Sequence, residues 1–533
     1  MKKAILNSIV LFIVSTSIHA QSIHDKPTGY YQYGILYAQN NVFGSSKTQS
    51  FAGAGVALGG DISSASLNPA GLGIFRKGEF SITGSLGVAA TNSDYFGSSS
   101  VDNKIFAGLP NFGIVFCNQK DDLEEGDFRG GSFSISFSKV TNFQNRIFAS
   151  GINPNNSVGD YLAQEAGNTP YSTYNKERND NGIMSLSSAA FSSSVIDPVF
   201  TINGNDTSQV GYQFAYNTKN NIQTQSLLSR GGIYSWDFAY GANYKDKFYF
   251  GGGITLSKLN HHIESNFVED ISHPVLTQIS VKSTKAASGG GISGKVGIIY
   301  RPIDNLRFGL VIQTPTYFSI SKIDNDVFDS KFNGKYFPYK LASSDPNYSF
   351  SLITPTKFTP AVSYFFGKTG FITSEIQFIN YSNSFLNDSY SSFKGDNNYM
   401  QNKFTNTINF KLAGEIRISN IRLRAGYAIF GDPNIGSKIN PLGYFESDAI
   451  NNNDKSTYSL TGGLGVKLDN LYIDLAIIST KFNSNLSPYG AVDFSNTNSQ
   501  NGINIQGNAP APIAEIKNNL TTFNFTIGTY FGQ

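Results

Sequence analysis

The feature that most constrains this chain is an alternation of apolar and polar side chains with a period of two residues. In the segment 407–418, Ile408 and Phe410 fall on one face, and the charged Lys411 and Glu415 fall on the other. Successive side chains of a β-strand point to opposite faces. The pattern therefore predicts strands that separate an apolar environment from a polar one.

Fourteen segments show this alternation, and the spacing between them predicts their arrangement. The predicted strands are 80–90, 111–118, 131–140, 233–244, 247–259, 291–301, 306–316, 357–366, 371–382, 407–418, 421–429, 458–468, 471–481 and 520–531. Long polar segments, all on the side opposite both termini, are 91–110, 141–232, 260–290, 317–356, 383–406, 430–457 and 482–519. An even strand count with short turns on one side and long loops on the other is typical of outer-membrane barrels.

The fold class predicted is therefore all-β, a 14-stranded antiparallel transmembrane β-barrel whose last strand closes against the first. The alternative is a soluble β-solenoid or a set of β-sandwiches. That alternative predicts evenly spaced strands, whereas the spacing here alternates between short and long. Charged residues make up only 15% of the chain against a typical quarter, and this low share also favours the barrel.

The N-terminus predicts export. Residues 1–20 combine Lys2 and Lys3 with a short apolar stretch and end in Ala20, which is the pattern of a secretory signal peptide. These residues hold two lysines and no acid, so the 40 basic and 38 acidic residues of the chain are balanced without them. No basic excess points to nucleic acid. Cys117 is the single cysteine, which excludes an intrachain disulfide.

A stretch rich in Gly, Ala and Ser precedes the first predicted strand. Residues 50–74 are nearly free of large side chains, so they cannot bury enough apolar surface to fold alone. The segment must therefore be enclosed by another part of the chain. Small residues allow close backbone approach to a wall, and this favours a segment inside the barrel over a surface linker.

The order of motifs in this stretch resembles the FadL/OMPP1/TodX family of outer-membrane transport proteins. A Gly/Ala segment from Ala52 is followed by Asp61-Ile62-Ser63 and then by Asn68-Pro69-Ala70. The resemblance implies a signal peptide at 1–20, a hatch at 21–77 that plugs the lumen, and a barrel at 78–533. The residues it assigns to the hatch or to gating are Gly53, Gly55, Asp61, Asn68, Pro69, Ala70 and Gly71.

Charged residues on the polar face of the strands form a second predicted group. They are Arg307, Glu375, Lys411, Glu415, Arg417, Arg422, Arg424 and Asp474. Charges on the lipid face would be costly, so these side chains are expected in the lumen. A structural network that fills the lumen is one interpretation, and a site for a ligand's polar group is the other. The candidate contacts for such a ligand are Arg307, Glu415, Arg417, Arg422 and Arg424.

The family resemblance implies passive uptake of hydrophobic small molecules, such as long-chain fatty acids or aromatic hydrocarbons, with exit through a gap in the wall. It places the protein in the outer membrane of a Gram-negative bacterium, in contact with membrane lipid and a lipophilic ligand. The alternative is a barrel that binds secreted proteins. No enzyme activity, cofactor or metal is expected, although His261, His262 and His273 share one predicted loop. Loop aromatics could form a capture groove or pack the loop, and these are Phe191, Phe200, Tyr212, Phe214 and Tyr216.

Overall fold

The chain folds into a closed β-barrel with a segment in its lumen. The computed structural model describes residues 29–39, 41–120, 126–180, 182–203, 206–216, 218–342, 347–389, 392–433, 456–493 and 508–532. The predicted signal peptide, 1–20, lies outside the described residues, as do positions 21–28 of the predicted hatch.

Fourteen strands form the wall, each antiparallel to its neighbours. They are β1 (Gly78–Tyr95), β2 (Ser98–Gln119), β3 (Phe128–Asn142), β4 (Asn221–Tyr244), β5 (Phe248–Asp270), β6 (Leu276–Ile303), β7 (Leu306–Gln313), β8 (Lys357–Phe365), β9 (Gly370–Asn380), β10 (Asn406–Ile418), β11 (Ile421–Phe430), β12 (Thr457–Lys467), β13 (Leu471–Leu486) and β14 (Ala514–Phe531). The barrel closes where β14 pairs with β1, from Gly78 opposite Phe531 to Tyr95 opposite Ala514. The predicted fold class and strand count are confirmed.

Every strand contributes large apolar side chains to the outer surface. One exposed residue from each of the fourteen strands in order is Leu86, Phe116, Phe133, Trp236, Phe250, Ile298, Phe308, Tyr364, Ile376, Ile416, Leu423, Leu464, Leu475 and Phe525. A closed barrel pairs its backbone groups internally, and its apolar outer band suits hydrocarbon. The protein is a barrel of the Gram-negative outer membrane. In the part of the chain that the structure describes, no helix has the length and hydropathy to cross a membrane.

Two predicted outer loops are instead strand. Most of 91–110 belongs to β1 and β2, which are joined by the tight turn at Phe96 and Gly97, where both φ angles are positive. Most of 260–290 belongs to β5 and β6. The wall therefore extends well beyond the apolar band on this side of the barrel. The predicted loops at 430–457 and 482–519 lie partly outside the described residues.

The remaining outer segments carry their own structure. Helices α4 (Val158–Ala166), α5 (Tyr171–Asn179) and α6 (Leu186–Ser192) pack with the hairpin of Ile196–Asn203 and Asp206–Phe214, and we call this unit the outer crown. The other outer elements are the strands Asn145–Asn153, Tyr317–Phe332, Lys335–Lys340, Tyr348–Ile353, Phe385–Asn387, Val492–Asp493 and Asn508–Ala509, the 3₁₀ turn Tyr381–Asn383, and helix α7 (Lys394–Lys403). The crown's buried core also includes Phe267 from β5 and Tyr489 from the β13–β14 connection, so the crown is joined to two sides of the mouth.

The hatch runs from the outer end of the lumen down to β1. It contains α1 (Tyr31–Leu36), α2 (Ser46–Ser50), α3 (Ser64–Leu67) and a 3₁₀ helix at Pro69–Ile74. The Tyr30 ring lies 5.3 Å from that of Phe350 in an outer strand, and the Tyr31 amide donates to Asp396 in α7. The first described residues therefore lie at the outer end.

Candidate ligand cavity, lateral gap and hatch

A cavity of about 190 Å³ lies inside the barrel between the upper and lower parts of the hatch. Ile35 and Leu36 of α1 and Gln49 of α2 line it from the hatch. Its apolar wall residues are Ala89, Phe106, Leu109, Phe143, Ile478, Phe482 and Leu520. An apolar cavity near 150 Å³ is already large enough for benzene. The space therefore suits one aromatic ring or part of an acyl chain.

The wall is interrupted beside this cavity, between β2 and β3. The β2–β3 ladder covers only the lower part of β2, from Asn111 to Gln119. Above it, the edge of β2 from Ser98 to Pro110 has no partner in β3, while β3 continues alongside β4. Leu109 and Pro110 form a bulge, and proline has no N–H to offer a neighbouring strand. The wall is therefore open at the level of the cavity.

Residues from both sides of this gap line the cavity. Gly108, Leu109 and Pro110 line it from β2, and Lys139 and Thr141 line it from β3. A Cβ added at Gly108 would have no other heavy atom within 4 Å. The cavity and the gap therefore form one continuous space.

Specific contacts end the gap below and above. At its lower end the Asn111 amide donates to the Phe137 carbonyl and to the Ser138 hydroxyl, both at 2.9 Å. At its upper end Lys104 Nζ donates across to the Ser229 carbonyl at 2.6 Å. Six residue steps separate Lys104 from Pro110, which corresponds to about 20 Å of strand.

The lower part of the hatch, around Pro69 and Ala70, packs against a row of glycines in the wall; we call this part the lower hatch. Gly241, Gly251 and Gly297 lie directly opposite one another on β4, β5 and β6. A Cβ added at Gly251 would lie 2.5 Å from the Pro69 carbonyl carbon and 2.6 Å from the Ala70 nitrogen. Side chains at Gly241 and Gly297 would likewise meet the hatch backbone and the Asn68 amide. Only glycine permits this approach of two backbones.

Asn68 supports the hatch through both ends of its side chain. Its Nδ2 donates to the Val56 carbonyl at 2.8 Å, and its Oδ1 accepts from the Ala70 amide at 3.1 Å. It thereby caps the 3₁₀ helix that starts at Pro69 and ties it to the preceding segment. The predicted Gly71 packs against Gly59, whose carbon is too close for a Cβ.

Asp61 forms a polar centre in the same segment. Its carboxylate accepts from the Ser45 and Thr48 hydroxyls and from the Ser63 amide, all at 2.9–3.0 Å. Lys47 lies 3.9 Å away. Asp61 therefore holds α2 against the start of α3. The predicted Gly53 and Gly55 lie between α2 and Asp61, and the Gly53 carbonyl accepts a hydrogen bond from Lys411.

The predicted lumen charges separate into two buried clusters. Glu375 pairs with Lys411 at 2.6 Å and accepts from the Val56 amide of the hatch. In the other cluster, Arg424 bridges Glu415, at 2.8 Å, and Asp474.

The remaining predicted arginines lie at the margins of these clusters. Arg417 joins Glu415, and Arg307 donates to the Leu58 carbonyl of the hatch. Arg422 instead donates to the Ser419 and Ile421 carbonyls at a short turn. None of the five predicted ligand contacts lines the cavity described above.

The loop residues singled out in the sequence lie in several environments. Tyr212 and Phe214 are buried in the crown core, whereas Phe200 is exposed. His261 and His262 are adjacent on β5 and therefore point to opposite faces. Among the described residues, no group of three or more His, Cys, Asp or Glu side chains could hold a metal ion.

The sequence carried two signals for this site that the predictions did not use. Leu109-Pro110 interrupts an alternating segment, and a proline inside a strand marks an edge or a bulge. The glycines of the wall also recur at inward positions of β4–β6. Glycine within a strand marks a place where another backbone comes close.

The described residues therefore form a closed 14-stranded transmembrane barrel that is plugged by its own N-terminal segment and open at one side of its wall. No protein-family model matches the sequence, and no curated protein matches it. Solved structures do: the toluene transporter TodX of Pseudomonas putida is 10% identical, with 93% of this chain and 100% of that chain covered and a TM-score of 0.51.

A FadL homologue of Pseudomonas aeruginosa is 11% identical, with 92% and 99% covered and a TM-score of 0.48. At such identities the likeness to TodX shows a shared fold. The chain therefore has the fold of TodX.

Proposed function

We propose that this protein is a member of the FadL/OMPP1/TodX family that takes up hydrophobic small molecules passively across the outer membrane. The ligand is a long-chain fatty acid, an aromatic hydrocarbon or a similar molecule. The observation that carries the proposal is the apolar cavity that opens directly into the gap between β2 and β3. A lipophilic molecule in this cavity can move sideways into hydrocarbon without crossing the polar lower lumen.

The hatch has a separate role in this proposal. Gly53, Gly55, Asp61, Asn68, Pro69, Ala70 and Gly71 keep the lower lumen closed to water-soluble molecules. The buried clusters around Glu375 and Arg424 hold the wall and the hatch together and do not bind the ligand. The protein acts without catalysis and without a cofactor.

A bulky residue at the gap tests the proposal. Gly108 faces open space beside the cavity, so Gly108→Trp should fill the gap without straining the wall. Uptake of a labelled fatty acid or of toluene by cells that carry the variant should fall at least about tenfold. Gly84→Trp is the matched control, because Gly84 on β1 is exposed and also has no neighbour within 4 Å.

Two results would count against the proposal. One is unchanged uptake of both probes by a correctly folded Gly108→Trp barrel. The other is purified protein that binds no lipophile by native mass spectrometry but crosslinks to one secreted protein. This second result would favour the alternative function, a barrel that binds secreted proteins through its outer crown.

A further inference from the structure

Near the gap, the outward side chains of two wall strands change from apolar to cationic between one outward position and the next. On β3 the outward residue above Phe137 is Lys139, and on β5 the outward residue above Leu256 is Lys258. The strand register places both lysines opposite Tyr234 of β4, one on each side. Two cations therefore flank one aromatic ring on three adjacent strands.

Neither lysine has a carboxylate partner among the described residues. Lys139 Nζ donates to Asn142 Oδ1 at 2.9 Å and lies 5.7 Å from the centre of the Tyr234 ring. No ion pair involves Lys258 in the described part of the chain, and its side chain is exposed. Lys258 is therefore open to an anion from outside the protein, and the half-buried Lys139 ammonium has no carboxylate to neutralise it in the described part of the chain.

Two arginines extend this charge away from the apolar band. Arg230 on β4 pairs with Glu264 at 3.1 Å, and Arg146 pairs with Asp102 at 3.1 Å. Both arginine side chains remain about half exposed. We call Lys139, Lys258, Arg230 and Arg146 the basic patch. With the two carboxylates included, the patch keeps an excess of two positive charges.

The residues directly below the patch mark its level in the membrane. Phe137 and Trp236 are paired neighbours, and the Trp236 ring is 41% exposed on the outer surface. Aromatic side chains form girdles at the membrane–water interfaces of barrels. The lysines one step above them therefore lie at the upper border of the hydrocarbon, where their ammonium groups can reach the lipid phosphates.

We propose that the basic patch binds the phosphate of an anionic lipid of the outer leaflet, at the rim of the gap. Lys139 and Lys258 lie two strands apart, a separation of about 10 Å, which both long side chains can bridge from opposite sides of one phosphate. Zwitterionic lipids offer less net charge and bind more weakly. Because Lys139 also lines the cavity, the acyl chains of this lipid form the outer lip of the gap.

Native mass spectrometry of the detergent-solubilised full chain tests this site, with phosphatidic acid and phosphatidylcholine as probes. Phosphatidic acid should bind more tightly than phosphatidylcholine. Lys139→Gln/Lys258→Gln should weaken it about 25-fold, since each lysine beside an anionic lipid contributes about fivefold. Lys139→Arg/Lys258→Arg should retain binding. The control is Lys335→Gln/Lys340→Gln, which removes two exposed lysines from an outer hairpin.

Three outcomes would overturn the proposal. In the first, the Lys139→Gln/Lys258→Gln variant binds phosphatidic acid as wild type does. In the second, Lys335→Gln/Lys340→Gln loses as much affinity for phosphatidic acid as Lys139→Gln/Lys258→Gln does, which would show that the overall charge of the protein, and not the basic patch, determines binding. In the third, inorganic phosphate at equal concentration displaces the lipid, which would indicate a site for free phosphate. If the double variant fails to fold, Lys258→Gln alone should still weaken binding about fivefold.

Discussion

Substituting Gly251 by alanine should lift the lower hatch from the barrel wall. The new Cβ would lie 2.5 Å from the Pro69 carbonyl carbon, whereas ordinary Cβ contacts begin at 3.4 Å, so it is about 0.9 Å too close. Its nearest neighbours are backbone atoms, and no side-chain rotation can relieve the clash. The hatch segment itself must therefore move.

The size of the effect follows from the cost of overpacking. Adding a methyl group to a tightly packed contact costs about 1–3 kcal/mol. If this cost falls on the seated hatch, the population with a displaced hatch rises about 5- to 150-fold. The wall itself should remain folded, because Gly251 faces the hatch rather than the neighbouring strands.

The chain provides its own reporter of hatch displacement. Cys117, its only cysteine, donates its thiol to the Phe75 carbonyl at 3.3 Å, at the lower end of the hatch. A membrane-impermeant maleimide added from the periplasmic side should therefore label Gly251→Ala faster than wild type, by up to the same factor, since Cys117 is half-buried when the hatch is seated. Gly252→Ala is the matched control, since its Cβ would lie at an ordinary 3.6 Å from the Lys295 carbonyl.

The reasoning is refuted if Gly251→Ala labels at the rate of Gly252→Ala and wild type while its barrel is folded. The close approach of the two backbones would then contribute nothing to seating the hatch. Heat-dependent gel mobility, which distinguishes folded from unfolded barrels, provides the necessary check on folding.

Replacing Glu375 by glutamine removes the carboxylate partner of the buried Lys411. The free energy of unfolding, measured by urea titration, should therefore fall by about 3 kcal/mol. The double variant Glu375→Gln/Lys411→Met should recover most of this loss. Burial raises the pKa of Asp160 in α4 to about 6. The folded crown thus binds this proton more tightly than the unfolded chain, and the crown loses stability as the pH rises from 4 through 6. The protection of α4 against hydrogen exchange should therefore fall between pH 4 and 7, and an unchanged profile would contradict this. Asn111→Ala removes the side-chain hydrogen bond to the Phe137 carbonyl that ends the gap below, and it should speed hydrogen exchange at the Phe137 amide several-fold. Equal exchange rates in the variant and in wild type would show that the β2–β3 ladder alone closes the lower end of the gap.

The strands could be predicted from the sequence where one of their faces meets lipid. Their outer ends, which extend beyond the apolar band, could not. On β5 the outward residues Ile254 and Leu256 continue the apolar pattern, and Lys258 ends it. The ladder with β6 nevertheless continues to Asp270. Above the membrane both faces of a strand can be polar, so backbone hydrogen bonds persist where the alternation has disappeared. Segments such as 260–290 therefore looked like loops.

Contacts that need a partner from a distant part of the chain were only half predictable. Asn68-Pro69-Ala70 could be identified as part of a hatch, but the glycines beneath it are spread from Gly241 to Gly297 and meet only through strand register. The gap has the same cause. Pro110 marks β2 as an irregular strand, but the sequence does not show how far β3 extends alongside it, and this length decides where β2 lacks a neighbour.

Under the proposed function, the placement of the hatch allows a plugged barrel to pass a ligand. The upper hatch is held at the outer end, where Lys357 donates to the Ala38 carbonyl at 2.9 Å, and the lower hatch is seated on the glycine row around Gly251. The cavity lies between these two attachments and opens sideways at Gly108. A ligand can therefore reach the gap while both attachments stay intact. Hatch displacement and lateral exit are then separate events, because they involve different contacts: the glycine row of β4–β6 seats the hatch, and the edges of β2 and β3 line the exit.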